Sequence, residues 1–121
     1  MSDSDLLYDV NLQQMPAEYL QARWRVEQQR SGATPETGWS DATDLELSSH
    51  ALHLQGKTFP SLTGSWTIER SSLLSQPYLA LELPSSQTQA LITRFRRSPD
   101  GKRRQLRLYF RSGLEIELNH P

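Results

Sequence analysis

The 121-residue chain contains no cysteine, which excludes disulfide bonds, thiolate nucleophiles and cysteine-ligated metals. Long apolar runs are also missing, since no stretch approaches the ~20 residues that a membrane-spanning helix requires. Neither sign of charge dominates: thirteen basic and fourteen acidic residues give a net charge of −1, which favours neither polyanions nor membranes as partners. The length suits one domain with a single core.

The first sixteen residues form a separate N-terminal segment with an acidic start. They lack the basic and apolar regions of a signal peptide, which together with the absence of cysteine predicts a cytoplasmic protein unless a leader has been removed. The spacing of Leu6, Leu7, Val10 and Leu12 predicts a short amphipathic helix within residues 1–16. Pro16 can then open a turn or a short helical piece over 17–20.

From residue 20 onwards the apolar period changes to two, which is typical of strands with one buried face. Short alternating runs follow one another to residue 118, separated by Gly, Pro and Ser turns at intervals of about 8–12 residues. Every junction after residue 43 is short, which favours an up-and-down arrangement of about eight antiparallel strands. We therefore predict an all-β barrel domain over residues 17–121, with one long polar loop over 30–44.

The last third of the chain predicts three strands and the register between them. Apolar residues stay on one face of the first two strands only if paired residue numbers sum to 201, which leaves the four-residue loop Pro99–Lys102. The next hairpin places Phe110 opposite Leu114, with Gly113 in the left-handed position of a three-residue loop. A charge row Arg94–Arg107–Glu117 then lies on the outer face.

The chain contains the segment Leu20-Gln-Ala-Arg-Trp-Arg-Val, a loop with Gly and Pro, a leucine hairpin over 45–54, the run Gly64-Ser-Trp-Thr-Ile and a closing meander. In this order, over roughly residues 17–119, it resembles the small bacterial lipocalin-like (calycin-like) domains, which begin with Leu-x-Gly-x-Trp-x-Val. Ala22 replaces the usual Gly, and Leu114–Leu118 has no Arg or Lys to lie across the barrel-floor Trp. The resemblance implies a ligand-binding or purely structural barrel and no enzyme.

The predicted inward face is almost entirely apolar, with Thr93 as its one polar member. It comprises Trp24, Val26, Leu45, Leu47, Leu52, Leu54, Trp66, Ile68, Leu79, Leu81, Leu83, Leu91, Thr93, Phe95, Leu106, Leu108, Phe110, Leu114, Ile116 and Leu118. Small eight-stranded barrels are either filled by side chains or hold one small ligand. Both readings stay open. If a cavity exists, Trp24, Trp66, Thr93 and Phe95 are its candidate lining residues.

Trp39 lies in the polar 30–44 loop with no periodic context that would bury it. We expect it to fold back as a lid or plug on the barrel mouth, where it would belong to the ligand site. The alternative is that Trp39 anchors a partner, because tryptophan is enriched among interface hot spots.

Sequence motifs for catalysis and metal binding are missing. The chain has no Gly-x-Ser-x-Gly elbow and no phosphate-binding loop, and Glu115 and Glu117 share a solvated outer face that suits acid–base chemistry poorly. His50 and His53 point to opposite faces of a strand, whereas zinc requires three or four ligands. We expect no enzymatic activity, no metal and no cofactor.

Charge is strongly segregated along the chain. Residues 94–111 hold eight basic residues and one acid, which gives +7, whereas residues 1–46 hold nine acids and three arginines, which gives −6. The arginine-rich hairpin suits an acidic protein surface or a second copy of the chain, or it faces the acidic half of its own chain. Tyr109 could stack on a base, but a pI near 6.3 argues against nucleic acid. The candidate partner-binding residues are Arg94, Arg96, Arg97, Arg103, Arg104 and Arg107.

Taken together, these patterns predict a non-enzymatic binding module: a lipocalin-like barrel that admits a small apolar ligand. The alternative is a structural or adaptor protein that binds an acidic surface, or its own copy, through the hairpin over 94–111.

Overall fold

The computed structural model describes residues 7–30, 39–58, 60–70, 76–84 and 86–120. These residues contain nine strands and one 3-10 turn, Ala17–Leu20. The strands are β1 Tyr8–Asp9, β2 Ala22–Arg30, β3 Ala42–Leu47, β4 Ala51–Gly56, β5 Leu62–Glu69, β6 Tyr78–Leu83, β7 Ser86–Arg97, β8 Arg104–Phe110 and β9 Glu115–His120.

Eight of these strands, β2 to β9, form a closed antiparallel barrel in which each strand pairs with the next along the chain. The ring closes where β9 pairs with β2, for example Leu118 with Val26. Strand β1 lies outside the ring and adds to β7, where Asp9 faces Arg96. The prediction of an all-β up-and-down barrel of about eight strands is confirmed. Among the described residues, no helix is long and apolar enough to cross a membrane.

Both predicted hairpins near the end of the barrel are confirmed. Phe95 pairs with Leu106, and Ser98 N donates to the Arg103 carbonyl at 2.9 Å, which leaves the loop Pro99–Lys102. Phe110 N donates to the Leu114 carbonyl at 2.8 Å, and Gly113 has the predicted positive φ, at 97°. The outer charge row is also present: Arg107 pairs with both Arg94 and Glu117, and its Nη2 lies 3.0 Å from Glu117 Oε2.

The predicted inward positions of Leu91 and Thr93 are wrong because β7 contains a bulge between Ile92 and Arg94. From Arg94 onwards, the numbers of the paired residues sum to 201, as predicted. Before the bulge, up to Ile92, they sum to 200, as in the pair Leu91 and Tyr109. A one-residue slip exchanges the two faces of a strand. Ala90 and Ile92 are therefore buried, while Leu91 and Thr93 are only part-buried.

The barrel interior is packed with apolar side chains, and most of the predicted inward residues lie there. Val26 and Ile68 are part-buried and pack against this core. The buried hydrophobic residues of this core are at most 7% exposed: Met15, Leu20, Trp24, Trp39, Ala42, Leu45, Leu47, Leu52, Leu54, Trp66, Leu79, Leu81, Leu83, Ala90, Ile92, Phe95, Leu106, Leu108, Phe110, Leu114, Ile116 and Leu118.

The predicted N-terminal helix is not found. Residues 1–6, including Leu6, lie outside the described residues, and residues 7–16 contain strand β1 and a turn at Leu12–Gln14. The apolar side chains of Val10 and Leu12 pack against the barrel, and Val10 N donates to the Phe95 carbonyl at 2.8 Å. The open edge of β7 thus offers hydrogen-bond partners to the main chain of this segment, and this pairing is more stable than an isolated short helix would be.

Candidate functional site at the ends of the barrel

One end of the barrel, here called the lower end, is closed by the 3-10 turn and the aromatic side chains beneath it. The Tyr19 ring stacks on Phe95 with a centroid distance of 5.9 Å, and Phe95 meets Trp24 edge-on at 6.2 Å. Trp24 Nε1 donates to the Leu20 carbonyl at 2.9 Å, so the only polar atom of that side chain is satisfied inside the core. The 3-10 turn therefore contributes side chains and a carbonyl to the core.

Arginine side chains fasten this closure from three strands. Arg97 Nη1 donates to Tyr19 Oη at 2.9 Å, and its guanidinium carbon lies 4.8 Å from the Tyr19 ring centre. Arg104 Nη1 donates to the Tyr19 carbonyl at 3.2 Å. Arg70, at the end of β5, donates to the carbonyls of Leu12 at 2.9 Å and Met15 at 2.5 Å. Such charge-assisted bonds to main-chain carbonyls fix the N-terminal segment across the lower end.

The last strand also contributes to the lower end. His120 contacts Trp24 with a ring-centre distance of 6.1 Å, and its Nδ1 lies 2.8 Å from the Arg23 carbonyl. A carbonyl can only accept, so His120 Nδ1 carries the hydrogen. Where the resemblance would lead one to look for Arg or Lys over this Trp, β9 offers a histidine.

At the opposite, upper end of the barrel lies Trp39, which is buried and only 1% exposed. Its ring lies 5.3 Å from that of Phe110, tilted by 43°. The Trp39 carbonyl accepts hydrogen bonds from Gln29 Nε2 at 2.9 Å and from Ala42 N at 3.2 Å. Trp39 is thus held between β2 and β3 by its main chain and reaches the core with its ring.

The indole nitrogens of the three tryptophans differ in how they are satisfied. Trp24 Nε1 and Trp66 Nε1 donate to the carbonyls of Leu20 and Ser48, the latter at 2.7 Å. Trp39 Nε1 is buried and has no hydrogen-bond partner among the described residues. Two other buried atoms, Arg107 Nε and Asn119 Oδ1, also lack a hydrogen-bond partner among the described residues, but both belong to part-buried residues.

The predicted ligand-binding residues do not form one site. Trp24 and Phe95 are in contact at the lower end, and Trp66 is tied to the turn after β3. Trp39 lies at the upper end, against Phe110, which the sequence analysis placed in the core but not in the site. Thr93 lies in the β7 bulge, where its Oγ1 donates to the Arg107 carbonyl at 3.4 Å.

The predicted partner-binding arginines mostly have partners within the chain. Arg97 and Arg104 bind Tyr19, and Arg107 forms the ion pair with Glu117. Arg94 and Arg96 both approach Asp9 of β1, with Nε to Oδ1 distances of 3.8 and 3.2 Å. The Arg103 main chain closes the hairpin loop onto Ser98.

The sequence analysis missed three residues of the closure: Met15, Tyr19 and Leu20. Met15 and Leu20 are fully buried, and Tyr19 is part-buried and packs against the core. A signal was present, because Leu20 and Trp24 are four residues apart, which is the spacing that the indole hydrogen bond to the Leu20 carbonyl spans. Assigning Leu20 to the alternating strand concealed it.

Open depressions lie on the outer face of the sheet. One of about 690 Å³ is flanked by Glu82, Gln89 and Arg111, and another of about 620 Å³ by Arg30 and Glu115 among others. His50 and His53 are both exposed, and no three His, Asp or Glu side chains in the described ranges gather as metal ligands would.

The fold and these contacts define a closed, eight-stranded antiparallel barrel with one apolar core and charged side chains outside, which is compatible with a binding module. No protein-family model, no curated protein and no solved structure matches the chain.

Proposed function

We propose that the protein is a non-enzymatic binding module, lipocalin-like in type, that takes a small apolar ligand at the upper end of its barrel beneath Trp39. The lower end is fastened by aromatic stacking and arginine hydrogen bonds, so ligand entry there would break many contacts at once. At the upper end the Trp39 ring packs against Phe110, and the hydrogen bonds described for Trp39 are made by its main-chain carbonyl and not by its indole.

The observation that carries this proposal is the buried indole N–H of Trp39, which has no acceptor among the described residues. A buried donor left without an acceptor costs about 1–3 kcal/mol. Trp24 and Trp66 avoid this cost through main-chain carbonyls. A ligand with a carbonyl, carboxylate or hydroxyl oxygen would satisfy Trp39 in the same way, so the ligand should combine an apolar body with one hydrogen-bond acceptor.

The packing of the core limits the size of such a ligand. Leucines, tryptophans and phenylalanines already occupy the interior, and interiors pack at the density of organic crystals. The ligand would therefore slide between Trp39 and Phe110 and would not fill a large preformed cavity. This favours a short chain or a single ring over a long lipid.

Decanoate tests the proposal, with nonane as a probe of similar length that lacks the acceptor. We expect saturable decanoate binding to the full-length chain in calorimetry, together with a change in tryptophan fluorescence. Trp39→Phe keeps an aromatic side chain, although a smaller one, and removes the N–H, so it should weaken decanoate about fivefold to tenfold, the worth of one hydrogen bond. Trp66→Phe is the matched control and should leave the affinity unchanged.

Two results would overturn the proposal. One is the absence of saturable binding of either probe by the full-length protein. The other is decanoate binding that Trp39→Phe leaves as tight as in the parent chain, because the ligand would then lie elsewhere.

The alternative proposal, an adaptor that binds an acidic surface through the whole hairpin over 94–111, has less support. Arg97, Arg104 and Arg107 hold partners within the chain that an external surface would have to replace. Arg94 and Arg96 share one exposed carboxylate, that of Asp9, and these two arginines are considered separately below.

A further inference from the structure

Strand β7 is longer than the neighbours that cover one of its edges. It spans Ser86–Arg97, whereas β6 pairs only with Ser86–Leu91. Below β6, the same edge is paired by two residues of β1: Tyr8 faces Arg97 and Asp9 faces Arg96, and Val10 N adds a bond to the Phe95 carbonyl. We call Phe95–Arg97, where β1 pairs, the β7 edge.

The β1 residues are held much more weakly than the segment that follows them. Tyr8 is 53% exposed, and the Asp9 side chain is 69% exposed. Exposed ion pairs such as those of Asp9 contribute little stability. By contrast, Met15 and Leu20 are buried, and Arg70 binds the carbonyls of Leu12 and Met15. When residues 8–10 leave the β7 edge, the apolar contact that they give up is that of Val10, which is part-buried against the barrel. The closure of the lower end stays in place because its own contacts begin at Leu12.

Among the described residues, the charges beside the β7 edge are unbalanced. Arg94 and Arg96 lie two residues apart on the outer face, and one carboxylate oxygen, Asp9 Oδ1, approaches both guanidinium groups. The residues two positions from Asp9 along the chain are Leu7 and Asn11, which flank β1 and carry no charge. An extended segment with two acids at alternate positions would place one carboxylate opposite each arginine, because alternate residues share a face.

We propose that the β7 edge is a docking site for an extended acidic segment of a partner protein, which carries Asp or Glu at positions i and i+2 and displaces residues 8–10. Such a segment would add a strand to the sheet, so main-chain hydrogen bonds give affinity and the two carboxylates give specificity. In the free protein β1 covers the edge and protects it from pairing with other strands. This inference is independent of the ligand site beneath Trp39.

Two peptides of identical composition test the proposal. The first is Ac-Thr-Val-Asp-Val-Asp-Val-Thr-amide with a fluorescent label. In the second, one Asp changes places with the Val between the two acids, so that the acids are adjacent and face opposite sides. Fluorescence anisotropy with the full-length chain should give saturable binding of the first peptide, and binding of the second about fivefold or more weaker.

Variants of the full-length chain locate the site. Arg94→Glu with Arg96→Glu should weaken the first peptide about tenfold, since two attractions become repulsions. Arg111→Glu makes the same kind of charge change away from the edge and should have little effect. Asp9→Asn weakens the competing β1 contact, so it should tighten binding about twofold to fivefold. Circular dichroism of each variant establishes that the barrel is folded.

Three outcomes would overturn the proposal. Equal binding of the two peptides would mean that net charge alone is recognised. Unchanged binding to the folded Arg94→Glu, Arg96→Glu variant would place the peptide elsewhere. A dimer of the parent chain that dissociates in this variant would make a second copy, and not a partner protein, the occupant of the edge.

Discussion

Gly64 is the position where a single methyl group should do most harm to the barrel. It lies in β5 opposite Leu52 of β4, and it faces inward in the same alternation as Trp66. A Cβ built on Gly64 would lie 1.8 Å from the Glu82 carbonyl oxygen, 2.9 Å from the Glu82 carbonyl carbon and 3.3 Å from Leu83 Cα. Only glycine allows the main chain of β6 to come so close.

The size and even the sign of the effect of Gly64→Ala follow from this contact. If β6 were not so close, alanine in place of Gly64 would stabilise the strand by about 0.5–1 kcal/mol, because glycine loses more backbone entropy on folding. Because β6 is this close, it must retreat by about 1.5 Å to restore ordinary contact, and the obstacle is main chain that cannot rotate away. Overpacking of this kind costs about 1–3 kcal/mol, and we expect the upper end, about 3 kcal/mol. The melting temperature should fall by about 12 °C.

Urea unfolding followed by tryptophan fluorescence measures this loss, since Trp66 lies two residues from the substitution. Ser65→Ala is the matched control: its side chain is exposed and gives up only a 3.4 Å contact with Glu82 Oε2, so stability should change by less than about 0.5 kcal/mol. A Gly64→Ala variant as stable as the parent chain, or more stable, would refute the close approach of β6 to Gly64.

Two further predictions concern the turn after β7 and the N-terminal segment. The Ser98 hydroxyl and the Lys102 N–H both donate to Asp100 and hold the pKa of its carboxyl below the usual range. The stabilisation by the Asp100 carboxylate is therefore complete above about pH 4 and is lost as the pH falls through the lowered pKa. The difference in urea midpoint between the parent chain and Asp100→Asn should disappear over the same pH range. A difference that stays constant with pH would contradict this prediction. Arg70→Met removes the bonds to the carbonyls of Leu12 and Met15, and should cost about 1–2 kcal/mol and speed amide exchange over residues 12–20, whereas Arg111→Met should do neither.

Alternation and turn chemistry were sufficient to predict the barrel and its last two hairpins. The pairing of Phe95 with Leu106 and of Phe110 with Leu114 followed from keeping leucines and phenylalanines on one face. The bulge near Thr93 could not be predicted from the sequence, because Leu91, Thr93 and Phe95 show the same alternation that a regular strand without a bulge would have. What decides the outcome is the burial of Ala90 and Ile92 against neighbours distant in sequence.

The candidate sites were harder to predict than the fold. Trp39 was predicted to fold back onto the barrel from its position in a polar loop, and it is buried, but only the structure shows that its indole N–H lacks an acceptor among the described residues. Likewise, the excess of arginine in residues 94–111 is visible in the sequence, yet its use is not. Arg97 and Arg104 bind Tyr19, far away along the chain, and periodicity contains no information about such pairs.

The pairing of β9 with β2 has a consequence for the order in which the chain folds. The first strand of the ring ends at Arg30 and its partner begins at Glu115, so the ring cannot close during synthesis until β9 has emerged. At about 5–20 residues per second, the ribosome needs several seconds to make the residues between them. During that time β2 presents an unpaired edge, and contacts so distant in sequence also slow the final closure. The growing chain should therefore depend on chaperones during synthesis far more than the finished barrel does.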